Sequence, residues 1–545
     1  MGLLERRIGL LFGLFLLLLV FAGFRATYLV AFKGDDLRGR AAQQQVQEFV
    51  VPARRGAITD RKGRELAVTE DAATISANPR QIPNPAAAAY RLSAALKVPT
   101  DGLLRKLSDR RNGFVYLARK VEAAKGDAVR KLQLQGITVE TEHRRRYPHG
   151  ALASQLVGAV GTDGYGLAGI EQSREKELHG DDGKRRVVSD ALGDPVSIVD
   201  LEQARPGRDV QLTIDSAIQE RVESVLGEVG RTYQPKGATA LVLDPRNGEI
   251  LSLANWPPVS AERFGDSPAY ARQNRAVGAS YEPGSTFKPF TVAGAMTERL
   301  VEPSSLFHLG PTIQVADRTI RESHSGGGGT LTTADILAQS SNVGTVTIGL
   351  RLGAKRFDRW VRRFGFGAST HVDIPGEASG IVPKPEDYSG SSMGNLPIGQ
   401  GLAVTPMQMA AAYQALANGG VMRPPHVISG RPGPARRVIS PRVASQVSRM
   451  LEGVLGAGGT AREANIDGYV LAGKTGTAEK AENGGYSKTK YVASFIGYAP
   501  ARKPRLLVAV MVDEPKGAIY GGQVAAPAFQ KIASFALPYL RIPPG

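Results

Sequence analysis

The chain of 545 residues is too long for one ordinary hydrophobic core, so two or more folded units are expected. Hydrophobic residues make up 42% and charged residues 22% of it, which is close to the average of folded proteins and excludes disorder as the main state. The absence of cysteine excludes structural disulfides, thiolate metal sites and a cysteine nucleophile. The net charge of +17 is spread along the chain rather than gathered in a basic arm, so nucleic acid is not indicated as a partner.

The first predicted element is an apolar helix near the N-terminus. Residues 8–24 carry no charge and are rich in Leu and Phe, and the apolar character that continues to residue 32 makes the helix longer than a ~30 Å hydrocarbon core requires. A cleaved signal peptide would need a small-residue cleavage site after the run, and the sequence around Arg25 offers only a poor one. We therefore expect a transmembrane anchor over residues 8–32 behind a short cytoplasmic head of residues 1–7.

The segment that follows the anchor predicts a first folded domain of mixed α and β structure. Residues 33–48 are charged and Gln-rich and predict a helical stalk. From residue 50 to about residue 205, short strand-like pieces alternate with helical ones, such as residues 86–97 and 124–134. Pro206-Gly207 is typical of a boundary, so this domain is predicted to occupy residues 33–205.

Residues 206–545 predict a second and larger α/β domain. Apolar strands flank a long helical middle, and Asp215 is a candidate cap for the first helix. The predicted strands are 209–213, 238–243, 249–254, 469–472, 491–498 and 505–512, and the predicted helices are 285–300, 332–352, 406–418, 441–455 and 525–535. Strands at both ends with helices between them indicate one sheet that is assembled from both ends of the domain and covered by helices.

Three short elements in this domain carry residue types suited to chemistry. They are Ser285-Thr286-Phe287-Lys288, Ser340-Ser341-Asn342 and Lys474-Thr475-Gly476. Each is weak alone, because Ser-x-x-Lys also begins at Ser173 and Ser487. Only Ser285 follows a Pro-Gly pair and precedes an apolar helical run, which places it at a helix start with Lys288 one turn later on the same face.

The first two elements suit nucleophilic catalysis by serine. The Ser285 hydroxyl needs a base, and Lys288 can serve only if burial and a second cation such as Lys474 lower its pKa from about 10.4 to roughly 7. Ser340 is placed to pass a proton between Lys288 and a leaving amine. Asn342 is placed to hold a substrate amide or to orient the lysine.

The third element suits binding of the substrate along an edge strand. Lys474 and the hydroxyls of Thr475 and Thr477 are suited to a carboxylate, while Gly476 lets a substrate backbone approach closely. The backbone N–H groups of Ser285 and Thr477 are the expected donors to an oxyanion.

With these motifs the chain resembles the class B penicillin-binding proteins, most closely the septal, FtsI-like transpeptidases. Other segments are similar to the family's non-catalytic pedestal (dimerisation-type) domain and to its transpeptidase domain, and the resemblance assigns residues 33–205 to the pedestal and residues 206–545 to the transpeptidase domain. These segments are residues 55–63, 146–148, 169–171, 212–215 and 399–408. Glu282 stands where elongation-type relatives tend to carry a second proline, which favours division.

The resemblance implies a fold and a reaction. The fold is a central antiparallel sheet covered by helices, held outside the inner membrane by a single-pass anchor. Ser285 would attack the penultimate D-alanine carbonyl of a peptidoglycan stem peptide, D-alanine would leave, and an amine of a neighbouring stem would take the acyl group. β-Lactams would acylate Ser285 as covalent inhibitors. The implied partners are an FtsW-type glycosyltransferase of the SEDS family and other division proteins, and no cofactor or metal is implied.

Several alternatives stay open at this point. A β-lactamase shares the three elements, but the Glu-x-x-Leu-Asn segment expected of class A enzymes is absent. A D,D-carboxypeptidase differs only in using water as the acceptor. An elongation-type transpeptidase and a non-catalytic penicillin-binding scaffold are further alternatives, although the intact Ser285, Lys288, Ser340 and Lys474 argue against the scaffold. The four glycines at residues 326–329 predict a mobile loop near the site.

Overall fold

A computed structural model describes residues 2–32, 46–189, 195–322, 328–430, 433–482 and 485–544. Most of the predicted stalk and part of the four-glycine run lie outside these ranges. The chain divides into two compact units. The first contains residues 1–55 and 179–207, and the second contains residues 56–178 and 208–545.

The first unit contains the apolar helix and a small sheet. The helix runs over Gly2–Phe32, and its stretch Arg7–Tyr28 has a mean hydropathy of 2.4, is exposed throughout and is long enough to cross a membrane. The sheet is antiparallel, with Gly183–Ser189 between its two neighbours Val46–Val51 and Pro195–Glu202.

The N-terminal part of the second unit is built on one long strand, Glu65–Ala77. Antiparallel partners pair along it, and three helices cover a small apolar core that includes Ile75, Leu92 and Leu107. The partner strands are Ile58–Thr59, Val115–Glu122 and Ile137–Arg146, Val210–Gln211 pairs with the first of these, and the helices are Pro85–Leu96, Thr100–Ser108 and Ala123–Arg130.

A buried ion pair joins the strand Ile137–Arg146 to the short helix Gly169–Ser173. Arg145 Nε lies 2.7 Å from Glu171 Oε1, and the two side chains are 5% and 0% exposed. Replacing Glu171 by alanine leaves the buried guanidinium without its carboxylate, and removing one partner of such a pair costs about 3–5 kcal/mol. We expect a correspondingly lower free energy of unfolding, measured by denaturant titration of the purified chain.

The matched control for Glu171 is Glu70 on the neighbouring strand. Glu70 pairs with Arg144 and Arg146, but these side chains are about a third to a half exposed. Exposed pairs contribute about 0–1 kcal/mol, so Glu70→Ala is expected to change the unfolding free energy far less. Equal losses in the two variants would contradict the role of burial.

The central sheet of the second unit has five antiparallel strands. They are β1 (Gly237–Leu243), β2 (Ile250–Trp256), β3 (Ala472–Glu482), β4 (Gly485–Ala499) and β5 (Leu506–Asp513), and their spatial order is β2-β1-β5-β4-β3. The predicted α/β class and the sheet assembled from both ends of the domain are confirmed. β3 is an edge strand, as predicted for the element Lys474-Thr475-Gly476, and it covers residues 472–482 because pairing with β4 extends it through the polar residues. The strand predicted at 469–472 overlaps it only at residue 472.

Helices cover the sheet and supply the rest of the core. The longer ones are α1 (Ser216–Tyr233), α2 (Lys288–Thr297), α3 (Thr333–Ala338), α4 (Asn342–Leu352), α5 (Ala354–Arg363), α6 (Pro406–Ala417), α7 (Pro441–Glu452) and α8 (Gly521–Tyr539). α1 and α8 contact each other and the sheet, and the Asp215 side chain caps α1 as predicted. The small hairpin of Thr312–Val315 and Arg318–Arg321 lies beside α4.

Two predicted helices are each interrupted at a sequence motif. The helix predicted at 285–300 begins with a 3-10 turn, Gly284–Phe287, so that Pro289 falls in the first turn of α2, where its missing N–H is not needed. The helix predicted at 332–352 is in fact α3 and α4. Ser340 between them has φ +61°, and Ser341 Oγ accepts a bond from the Gly344 N–H at 2.9 Å and so starts a new helix.

Candidate active site

The first element, Ser285 to Lys288, lies where the 3-10 turn enters α2. Ser285 is half-buried, while its neighbours in the turn are buried. Thr286 Oγ1 donates to the Pro283 carbonyl at 2.7 Å, and the Thr286 carbonyl accepts a bond from the buried Tyr413 hydroxyl at 2.7 Å. These bonds fix the backbone on both sides of Ser285. Within the described residues the Ser285 hydroxyl itself has no hydrogen-bond partner.

Lys288 joins the first element to the second. Its side chain is fully buried, and Nζ donates to the Ser340 carbonyl at 2.6 Å, to Ser340 Oγ at 3.2 Å and to Asn342 Oδ1 at 2.7 Å. Burial lowers the pKa of Lys288 from 10.5 to about 7, and the negative charge of Glu322 opposes that shift. Near neutral pH, a large fraction of this amine is therefore available as a base.

The break between α3 and α4 presents Ser340 and Asn342 to this lysine. Glu322 holds the break: its carboxylate accepts bonds from Ser341 Oγ at 2.5 Å and from the Asn342 N–H at 2.7 Å. A carboxylate is favourable at a helix N-terminus, because the free N–H groups and the helix dipole attract negative charge. Glu322 was not predicted, since it belongs to no motif and reaches α4 only through the fold.

Lys474 lies on the edge strand β3 and is also fully buried. Burial lowers its pKa well below the usual value, and the positive charge of Lys288 adds to this effect. Its Nζ contacts the Thr475 carbonyl at 3.2 Å and Thr475 Oγ1 at 3.3 Å. The sequence predicted that burial and a second cation such as Lys474 lower the pKa of Lys288, and in the structure burial is the main cause of the lowered pKa of both lysines.

Gly476 is the point where β3 meets the turn that carries Ser285. A Cβ atom there would lie 2.5 Å from Ser494 Oγ, 2.9 Å from Thr286 Cγ2 and 3.0 Å from the Pro283 carbonyl oxygen. The glycine thus makes room for the protein's own turn, and the predicted approach of a substrate backbone stays a prediction. The Thr477 hydroxyl accepts a bond from the Gly521 N–H at 3.0 Å, which ties β3 to the start of α8.

The other two Ser-x-x-Lys copies take no part in the hydrogen bonds that join Lys288 to Ser340 and Asn342. Ser173 ends the short helix Gly169–Ser173, and Ser487 lies on β4. Lys490, which follows Ser487 by three residues, is ion-paired with Glu482 at an exposed position. Neither copy has the buried lysine that distinguishes the first element.

The rate of acylation should depend on pH through the ionisation of Lys288. With a pKa of about 7, the neutral amine rises from about a tenth of the protein at pH 6 to about nine tenths at pH 8. We therefore expect the second-order rate constant of acylation by a penicillin to increase roughly tenfold between these pH values. Stopped-flow measurement from pH 5.5 to 9 tests this. A flat profile would show that Lys288 is not the base.

Two domain families match the chain. The penicillin-binding protein transpeptidase domain matches residues 238–534, and the penicillin-binding protein dimerisation domain matches residues 50–212. These matches include the three elements and the N-terminal part of the second unit.

Individual relatives match over nearly the whole length. A probable peptidoglycan D,D-transpeptidase PenA of Neisseria meningitidis is 33% identical, covering 98% of this chain and 93% of the relative. The peptidoglycan D,D-transpeptidase FtsI of Escherichia coli is 32% identical, covering 99% and 92%. The crystal structure of penicillin-binding protein 3 from Mycobacterium tuberculosis with aztreonam superposes with a TM-score of 0.72 at 30% identity, covering 91% and 98%.

Both the domain matches and the full-length relatives agree with the motifs and with the fold. The expected resemblance is thereby confirmed. The chain belongs to the class B penicillin-binding proteins, the family of FtsI-like peptidoglycan D,D-transpeptidases.

Proposed function

We propose that this enzyme cross-links peptidoglycan stem peptides at the division septum through an acyl ester on Ser285. The observation that carries the proposal is the buried Lys288, whose pKa is lowered to about 7 and whose Nζ is held by Ser340 and Asn342 one turn from Ser285. A serine at a helix start beside a neutral amine is suited to nucleophilic attack on a carbonyl. The likeness to FtsI and the presence of Glu282 in place of proline support a septal role.

The proposed reaction has two acyl-transfer steps. Ser285 Oγ attacks the carbonyl of the penultimate D-alanine and gives its proton to Lys288 Nζ, and the N–H groups of Ser285 and Thr477 stabilise the oxyanion. The C–N bond breaks, and the departing D-alanine amine takes the proton from Lys288 through the Ser340 hydroxyl. An amine of a second stem then attacks the ester, loses its proton by the same route and restores the Ser285 hydroxyl.

The second element is arranged for this proton path. Ser340 Oγ lies 3.2 Å from Lys288 Nζ, and Asn342 Oδ1 and the Ser340 carbonyl fix the ammonium position. The edge strand β3 would bind the substrate carboxylate and backbone through four consecutive residues, Lys474, Thr475, Gly476 and Thr477. β-Lactams would enter as mimics of the acyl donor, and aztreonam is bound in the structure of the M. tuberculosis relative.

The proposed topology is a single-pass inner-membrane protein. Residues 1–7 would lie in the cytoplasm, residues 8–32 would cross the membrane, and the pedestal (33–205) and transpeptidase domain (206–545) would lie outside. The apolar stretch Arg7–Tyr28 and the domain matches at 50–212 and 238–534 support this arrangement. An FtsW-type glycosyltransferase of the SEDS family and other division proteins are the proposed partners.

A reconstituted reaction tests the function directly. The full chain in detergent is incubated with a stem pentapeptide donor and an amine acceptor stem, and free D-alanine and cross-linked product are measured by mass spectrometry. One D-alanine per cross-link is expected. D-Alanine without cross-links would favour a carboxypeptidase, and neither product from folded protein would contradict the proposal.

A further inference from the structure

Glu322 connects the small hairpin beside α4 to the second element of the active site. It directly follows the second strand of that hairpin. Its Oε2 accepts a bond from the Asn342 N–H at 2.7 Å, and its Oε1 accepts bonds from Ser341 Oγ at 2.5 Å and from the Val343 N–H at 3.3 Å. One carboxylate therefore satisfies three donors at the start of α4, and two of them are N–H groups that the helix itself cannot pair.

Asn342 is held by the hairpin on one side and by Lys288 on the other. Its Nδ2 donates to the Arg321 carbonyl at 2.9 Å, while its Oδ1 accepts from Lys288 Nζ at 2.7 Å. A single side chain thus links the end of the hairpin to the amine. A shift of the hairpin would move the Asn342 amide and, with it, an acceptor that orients Lys288 Nζ.

The hairpin is also held by a small apolar cluster of its own. Val315 and Ile320 of the hairpin pack with Val346 of α4 and with Ile398, and all four side chains are buried. The hairpin and α4 therefore meet both through apolar side chains and through the carboxylate of Glu322, and these two kinds of contact fix their relative position.

The charge of Glu322 acts on Lys288 as well. Burial lowers the pKa of Lys288 to about 7, and the negative charge of Glu322 opposes that shift. Lys474 on β3 is a second charged group that interacts with Lys288, and its own pKa is lowered by burial and by the positive charge of Lys288. A base is most effective when its pKa lies near the working pH. Glu322 thus keeps the amine more basic than burial alone would leave it.

We propose that Glu322 is a positioning residue of this enzyme, which holds Ser340 and Asn342 against Lys288 and makes the reactivity of the base depend on the position of the hairpin. It acts through Asn342 and through its charge rather than by contact with the substrate. The inference rests on the proposed function, since it requires Lys288 to be the base for Ser285. It adds to the reaction a residue that belongs to none of the three sequence elements.

Replacing Glu322 by glutamine tests the charge and the position together. The amide keeps the length of the side chain but removes the negative charge, so the pKa of Lys288 should fall further. The midpoint of the pH profile of acylation by a penicillin should therefore move to lower pH by about one unit. The plateau rate constant should fall roughly tenfold or more, because a weaker and less well oriented base takes the proton. Stopped-flow measurement on the full chain in detergent gives both values.

Two further variants separate the effect on Lys288 from the loss of a helix cap. Asp215 is a buried carboxylate that caps α1 by accepting from the Ala217 N–H at 3.1 Å, and it does not shift the pKa of Lys288. Asp215→Asn should therefore keep the wild-type midpoint and plateau, whatever it does to thermal stability. Glu322→Asp retains the charge and should restore the wild-type midpoint, with a plateau between those of the wild type and Glu322→Gln.

A variant in the apolar cluster tests the hairpin even if Glu322→Gln fails to fold. Ile320→Ala loosens the hairpin against α4 without changing a polar group, and it should lower the plateau rate constant roughly threefold or more. Leu107→Ala is the matched control, because it removes a buried apolar side chain from the small core of the N-terminal part. It should acylate at the wild-type rate while the protein remains folded.

The outcomes separate this inference from the proposed function. A wild-type midpoint near pH 7 that is unchanged in folded Glu322→Gln would overturn the inference alone. So would a wild-type plateau in Ile320→Ala, or an equal shift of the midpoint in Asp215→Asn. A flat profile of the wild type would overturn the proposed role of Lys288, and the inference with it.

Discussion

Replacing Ser285 by alanine is expected to abolish covalent labelling of the chain by a fluorescent penicillin. Ser285 lies at a helix start one turn before Lys288, a buried lysine of lowered pKa, and its hydroxyl has no hydrogen-bond partner among the described residues. Without that oxygen no acyl ester can form, and the remaining oxyanion donors cannot substitute for a nucleophile. Labelling is measured by in-gel fluorescence and by the intact mass of the protein.

The control for Ser285 is another serine in the same local pattern. Ser173 also precedes a lysine by three residues, but it ends the short helix Gly169–Ser173 and is more than 100 residues before Ser285 in the sequence. Ser173→Ala should label like the wild type. An adduct that persists in Ser285→Ala would show that another residue is acylated. An adduct that turns over rapidly in the wild type would favour a β-lactamase over a transpeptidase.

Replacing Lys288 by methionine is expected to slow acylation by at least about 10³-fold. Methionine has a similar length and tolerates burial, but it cannot take the proton of Ser285, and a positioned base contributes roughly 10²–10⁴-fold. The change also leaves the Ser340 carbonyl and Asn342 Oδ1 without their donor. The loss of these oriented hydrogen bonds should therefore slow acylation further, in addition to the effect of losing the base. The rate is measured with a penicillin in excess.

The control for Lys288 is an exposed lysine. Lys531 is ion-paired with Glu228 on the surface, and Lys531→Met should acylate at the wild-type rate. Thermal unfolding of Lys288→Met, followed by circular dichroism, distinguishes loss of chemistry from loss of fold. Wild-type acylation by a folded Lys288→Met variant would show that another group accepts the proton.

The sequence was most informative where a pattern is local. The apolar strands at both ends of the larger domain predicted the central sheet, because a fully buried strand is a short run of apolar residues. The spacing of Ser285 and Lys288 predicted one face of a helical turn, and the structure places them on consecutive turns. The helix cap by Asp215 could also be predicted, because it depends only on residues that are neighbours in the chain.

Structural features that depend on contacts between residues far apart in the sequence could not be predicted from local patterns. The break at Ser340 needs a residue with positive φ and the cap by Ser341, whereas the apolar pattern on both sides suggests one continuous helix. Glu322 reaches Asn342 only because the hairpin before it lies beside α4. The burial of Lys288, which sets its pKa, follows from packing of the whole domain and has no counterpart in the local sequence.

The order of strands in the central sheet has a consequence for synthesis of the chain. The hairpin of β1 and β2 ends at Trp256, but its neighbour β5 ends only at Asp513, which is 513 − 256 = 257 residues later. At ~5–20 residues per second, this takes about 13–50 s. All of β1 is buried in the finished sheet, so the nascent hairpin exposes an apolar edge that invites pairing with other chains. Premature termination before residue 506 should therefore yield an aggregating product rather than a partly active one.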